Sequence, residues 1–194
     1  TAMYQVSAHG LASHAGLEPE KGVNATLEIA HLILKLSALE DHAHGTTVVP
    51  TLLRSGNSAN TVPDLAVLEI DARSFSQADL ERVDQAIRSL PATVNGARIE
   101  VTGGLNRPPL EPSSTKELYE RAERVAKEIG MAPLGCAEVG GASDGNFAAA
   151  AGAQVLDGLG AVGGGAHAPN EWVSLKSIEE RSSFMHALIK DLLK

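Results

Sequence analysis

The chain has 194 residues, room for one large domain or two small ones. Sixteen Lys and Arg stand against 24 Asp and Glu, a formal net charge of −8, which argues against a phosphate backbone and so against a nucleic-acid partner. Apolar residues make up 43% and aromatic ones 3%, so a packed core is expected and must be mostly aliphatic; no apolar run approaches the ~18 residues that a membrane helix needs.

Residues 2–9 (AMYQVSAH) alternate, with Tyr4, Val6 and Ala8 on one face, and predict a strand. A loop with Gly10, Gly16, Pro19 and Gly22 follows. Val23, Leu27, Ala30 and Leu34 then recur at helical spacing, with Ile29, Ile33 and Leu36 beside them, a wide stripe to lay on a sheet. Residues 46–54 and 65–73 read as strands on either side of the turn-rich GNSANTVPD. In the later one Ala66, Leu68, Ile70 and Ala72 point one way, and Glu69, Asp71 and Arg73 the other. Ser76, with Asp79 three residues on, predicts a helix start, with Leu80, Val83, Ile87 and Leu90 as its stripe. Ala97, Ile99 and Val101 finish a last strand. The order βαββαβ predicts a ferredoxin-like sandwich over residues 1–105, with helices on one face of an antiparallel sheet and an edge open to a partner.

The Pro- and Gly-rich stretch 103–114 reads as a linker. A second block, 106–194, follows. Ser114 with Glu117 predicts a capping box, and Leu118, Ala122, Val125 and Ile129 a helical stripe ending at Gly130. Residues 134–139 and 154–159 read as strands, separated by GGASDGN and a small-residue helix around Phe147–Ala151. A last helix is expected at a cap of Ser177 with Glu180, carrying Ile178, Met185, Leu188 and Leu192. Alternation of strands with helices predicts part of a parallel α/β domain. The single Cys136 forbids an intrachain disulfide and reads as core.

Four residues carry chemistry on their own merits, each with a plainer reading beside it. His167 follows Gly163–Gly164–Gly165 and precedes Ala168–Pro169; a neutral imidazole there suits zinc, or is a surface histidine. His14 sits on a loop just past a strand, where it donates to an oxyanion or is a loop polar residue. Arg73 reads as a carboxylate fork or as a charge that guards a strand. Asp144 is first an N-cap. His42 and His44 read as a solvated turn.

Four segments, GLASHAGLEPEKGVNA (10–25), GNSANTVPDLAVLEIDAR (56–73), GGASDGN (140–146) and GGGAHAPNEWV (163–173), together resemble the dinuclear zinc metallopeptidase and amidohydrolase family of aminoacylase-1, succinyl-diaminopimelate desuccinylase and glutamate carboxypeptidase. The likeness is greatest to the carboxypeptidase G type. It implies that residues 1–105 are the dimerisation domain, or lid, and 106–194 the C-terminal portion of the catalytic α/β domain. It implies a homodimer through the lid, and cleavage of an amide bond beside a free carboxylate in a small peptide or N-acyl amino acid. His14 would polarise the scissile carbonyl in the partner's site and Asn60 bind substrate there. Arg73 would hold the carboxylate, Asp144 and Gly164 shape the substrate site, and His167 bind one of two zinc ions per subunit. The family's His-x-Asp pair is absent, and Glu179–Glu180 opens a helix instead of supplying a base and ligand. The chain by itself is therefore expected to be inactive, with a catalytically inert dimerisation module as the alternative. Any signal peptide would lie upstream, which leaves cytoplasm and periplasm open.

Overall fold

The computed structural model describes all 194 residues, Thr1–Lys194, as two compact units. One comprises Thr1–Pro109 with Gly140–Ala142, the other Leu110–Val139 with Ser143–Lys194.

The first unit runs β1 (Ala2–His9), α1 (Ala25–Ser37), β2 (Thr47–Ser55), β3 (Leu65–Arg73), α2 (Gln77–Arg88) and β4 (Arg98–Leu105). The four strands form one antiparallel sheet in the order β2-β3-β1-β4, the ferredoxin-like arrangement. Ala2 pairs with Ala72 and His9 with Leu65, so β1 and β3 are in register along their whole length. The inward faces match the alternation: Tyr4, Val6, Ala8, Ala66, Leu68, Ile70 and Ala72 are all buried beneath α1 and α2. Ser76 caps α2 as expected: its Oγ accepts from the Asp79 amide (3.1 Å) and donates to Asp79 Oδ2 (2.9 Å).

Two expectations in this unit are corrected. The buried face of α1 is Ala25, Glu28, Ile29, Leu32 and Leu36, while Leu27 and Leu34 are exposed at 50% and 73%. Apolar residues fall on both sides of the helix, so periodicity alone did not fix its inner face; Asn24 fixes its start, capping the Leu27 amide (3.0 Å). The linker also starts later, since β4 continues to Leu105 through Gly103, whose φ of +87° and lack of a Cβ let it lie against the Met3 carbonyl.

The second unit contains α3 (Lys116–Glu128), α4 (Gly145–Ala150), a hairpin of β5 (Gly163–Gly164) and β6 (Trp172–Val173), and α5 (Leu175–Leu192). Ala122, Val125 and Ala126 of α3 pack on Phe184 and Leu188 of α5. Gly130 closes α3 with φ +73° and two capping bonds, Gly130 N–H to Lys127 O (3.1 Å) and Met131 N–H to Ala126 O (2.9 Å).

Here the corrections are larger. Residues 134–139 and 154–159 form no strand, and the only sheet is the antiparallel β5–β6 hairpin, not a parallel one. A strand needs a neighbouring strand along its length, and these runs have only single partners: Val155 N–H donates to Ser114 O (2.8 Å) and Leu134 O accepts from the Tyr119 hydroxyl (2.9 Å). Cys136 is exposed on that stretch, not core. Ser114 does not cap α3; Thr115 occupies the position and makes no capping bond with its side chain. α5 begins at a Ser174 cap, three residues before the expected one, and buries Ser177, Phe184, Leu188 and Asp191, leaving Ile178 exposed. Ser177 Oγ instead accepts from Val162 N–H (2.8 Å).

Candidate active site

β1 and β3 extend their pairing past their own ends through two loops. Gly10 N–H donates to Asp64 O (2.7 Å), Val62 N–H to Ser13 O (2.9 Å) and Ala15 N–H to Asn60 O (2.8 Å). Leu11 and Val23 exchange both backbone bonds (3.0 and 2.9 Å), and a side chain on Gly10 would collide with the Val23 carbonyl. Glycine at 10 therefore permits the close approach. The result brings His14 and Asn60 together at one end of the sheet.

His14 is exposed, yet its ring is oriented. Nδ1 accepts from the Gly16 and Leu17 amides, both at 3.1 Å. A neutral imidazole that accepts at Nδ1 carries its proton on Nε2, so Nε2 is a hydrogen-bond donor pointing away from its own loop. Asn60 is oriented too: its Oδ1 accepts from the Ser58 hydroxyl, which turns the NH2 end of the amide outward.

Arg73 lies elsewhere. It is the last residue of β3, while the His14–Asn60 pair lies beyond Leu65, the first. From Leu65 to Arg73 is eight strand steps, about 27 Å at the antiparallel rise. The structure therefore does not bring Arg73 to His14. The Arg73 guanidinium is bound on its side edge by Asp71, with Nε to Oδ1 at 2.9 Å and Nη2 to Oδ2 at 2.8 Å. Its Nη1 donates to the Gly140 carbonyl (2.8 Å). The paired guanidinium holds the Asp71 carboxyl below the usual carboxylate range, and Asp71 raises Arg73 in turn. Asp71 was readable only as an outward residue of its strand; the D-x-R spacing, two residues apart on one face, was the signal that pairs them.

In the second unit Asp144 stands at the N-cap position of α4, where Asn146 Oδ1 accepts from Ser143 N–H (2.9 Å) and Ser143 Oγ from Gly145 N–H (3.1 Å). Gly164 lies in β5, against the indole of Trp172. His167 is exposed on the β5–β6 loop with φ +64°, the one non-glycine residue in the left-handed region. Such a backbone costs on the order of 1 kcal/mol. A catalytic zinc takes three protein ligands. No three His, Cys, Asp or Glu side chains gather anywhere in the chain, so its residues do not fit a complete metal centre by themselves.

The antiparallel βαββαβ unit has counterparts in known proteins. Residues 1–98 match the family model described as the peptidase dimerisation domain. Carboxypeptidase G2 of Pseudomonas sp. (strain RS-16) is 33% identical over 196 residues, 98% of this chain and 47% of that protein. One of the subunits of p-aminobenzoyl-glutamate hydrolase from Escherichia coli (strain K12) is 33% identical over 124 residues, 60% of this chain and 28% of that one. Among solved structures, aminopeptidase PepT from Bacillus cereus ATCC 10987 superposes over 100% of this chain and 52% of its own (TM-score 0.73, 25% identity). The YXEP protein of Bacillus subtilis, a dinuclear metal-binding peptidase, shares the fold over 96% of this chain and 48% of its own (TM-score 0.66, 15% identity). The chain belongs to the M20 peptidase family, whose members named here are peptidases and hydrolases. It spans about half the length of carboxypeptidase G2.

Proposed function

We propose that this chain is the lid, residues 1–105, and the C-terminal catalytic portion, residues 106–194, of a zinc-dependent hydrolase that cleaves an amide bond beside a free carboxylate. The observation that carries the reading is the orientation of His14, whose Nε2–H is held outward by two backbone amides on Nδ1. A donor so fixed costs no reorganisation when charge develops on a carbonyl oxygen. Carboxypeptidase G2 and p-aminobenzoyl-glutamate hydrolase, by their names, act where a carboxylate flanks the amide, and Arg73 is the fork that suits it. Zinc is the metal the family resemblance implies, two ions per subunit, with His167 as one terminal ligand. The chain alone holds no complete centre and is inactive by itself.

The separation of about 27 Å between Arg73 and the His14 end exceeds the reach of one small substrate. One subunit's His14 and Arg73 therefore serve different sites, which a homodimer supplies. The β2 edge suits that contact: Val49, Leu52 and Leu53 are exposed on it, and Leu27 and Leu34 on the neighbouring α1. The β4 edge instead carries Arg98 and Glu100, charges that discourage pairing.

The test is His14→Ala in the full-length dimer with p-aminobenzoyl-glutamate. Loss of one oxyanion donor lowers kcat by about 10²–10³-fold while bound zinc per subunit is unchanged. An unchanged kcat removes His14 from the reaction. A second reading, a dimerisation module without chemistry of its own, is favoured by the same apolar edge. A full-length protein that dimerises but hydrolyses no N-acyl amino acid in zinc buffer would establish it instead.

A further inference from the structure

We propose that Asp71 is a positioning residue for Arg73, fixing the guanidinium so that it presents two N–H groups to the substrate's carboxylate. The inference rests on the reading of Arg73 as the carboxylate fork. Asp71 and Arg73 lie two residues apart on the outward face of β3, an interior strand, so a rigid backbone sets their spacing. Asp71 takes the Nε–Nη2 edge with both oxygens, and the Gly140 carbonyl takes one hydrogen of Nη1. Of the five guanidinium hydrogens three are engaged. The two that remain sit one on each terminal nitrogen. The Arg73 side chain is 44% exposed, so without Asp71 its long stem samples many rotamers and loses that freedom on each binding event. Asp71 also neutralises Arg73, which weakens attraction for an anion. Water screens that term at a half-exposed pair, and the loss of orientation outweighs it on removal.

The experiment uses the full-length dimer, p-aminobenzoyl-glutamate and its α-carboxamide analogue. Asp71→Asn, which keeps one acceptor, raises KM for the acid by about tenfold with kcat lowered far less, and Asp71→Ala does so more strongly. KM for the amide stays put, so the acid-over-amide preference falls by the same factor, which general loosening of the fold would not produce. The thermal midpoint, read in parallel, separates unfolding from misplacement, and Asp71→Asn is the milder variant if Asp71→Ala does not fold. Arg73→Ala distinguishes the two ways of failing. If Arg73→Ala raises KM for the acid while Asp71→Asn leaves it unchanged or lowers it, Asp71 is a bystander or a competitor and the proposal is overturned alone. If Arg73→Ala also leaves KM and the acid preference unchanged, the carboxylate reading of Arg73 falls and the proposal with it.

Discussion

Glu28 is fully buried on α1, and nothing in the sequence pattern marks it as different from a surface glutamate. Both its oxygens accept from the Thr93 amide (3.0 and 2.9 Å), and Oε2 also accepts from the Val94 amide (2.6 Å). Lys35, two turns on, donates to Pro91 O (3.0 Å) and Thr93 Oγ1 (2.7 Å). The loop between α2 and β4 is thus tied to α1 by one buried and one half-buried side chain. Glu28→Ala leaves the part-buried Thr93 and Val94 amides without their acceptor and costs about 2 kcal/mol; Glu28→Gln, which keeps one acceptor, costs about half as much. Hydrogen exchange at the Thr93 and Val94 amides reads this directly: protection falls in both variants, most in Glu28→Ala, and unchanged protection would show that other groups hold the loop. At this scale the sequence disclosed residue types but not partners. His14, Asn60 and Arg73 were visible as candidates, whereas the amides behind His14, the Ser58 hydroxyl behind Asn60 and the carboxylate behind Arg73 come from loops and registers that only the folded backbone brings near.

Elements were legible where one face is wet and one dry. β1, β3 and α2 alternate cleanly because they sit at that boundary, and Ser76 announced its helix by a local bond that needs no tertiary help. α1 and α5 were found, but their inner faces were misjudged: both carry apolar residues outside the core, Leu27 and Leu34 on one, Ile178 and Ile189 on the other. The runs at 134–139 and 154–159 have strand composition without a strand neighbour, and composition cannot supply one. Between α3 and α5 an ion cluster adds to the apolar contact. Arg124 Nη2 (2.7 Å) and Arg121 Nε (2.6 Å) donate to Asp191 Oδ2, Arg121 also reaches the Asp191 carbonyl, and Lys194 is 3.9 Å away. Arg124 and then Arg121 hold the Asp191 carboxyl far below the usual range. Its contribution is therefore complete above an ordinary carboxylate pKa of ~3.9 and is lost as pH falls below that value. Asp191→Asn removes the same contribution at neutral pH and flattens its acid dependence. The check is helix ellipticity against urea at pH 7 and near pH 3: the stability gap between parent and variant is largest at pH 7 and narrows on acidification as the unfolded carboxylate takes up its proton, and no gap at pH 7 would mean the cluster is decorative.

At the scale of the whole molecule the sheet is a spacer. Its β1–β3 register places the His14 loop beyond one end and Arg73 at the other, so in the proposed reading the oxyanion donor and the carboxylate fork of one subunit are too far apart to serve one substrate. Under the proposed dimer, two copies joined at the β2 edge would turn that distance into use, each subunit's His14 serving its partner's site while Arg73 serves its own. Two inactive variants of the full-length protein test the assignment together. In a mixed dimer of His14→Ala with Arg73→Ala, the site built on the His14→Ala subunit keeps its own Arg73 and receives an intact His14 from the partner. The other site loses both. Random mixing makes half the dimers mixed, each with one good site, so activity recovers to about a quarter of the parent rate. If both residues served the site of their own subunit, every site in every dimer would lack one of them and mixing would restore nothing. Charged substitutions at Leu52 and Leu53, on the exposed β2 edge, then give monomers by sedimentation and abolish the recovery even from the same mixture.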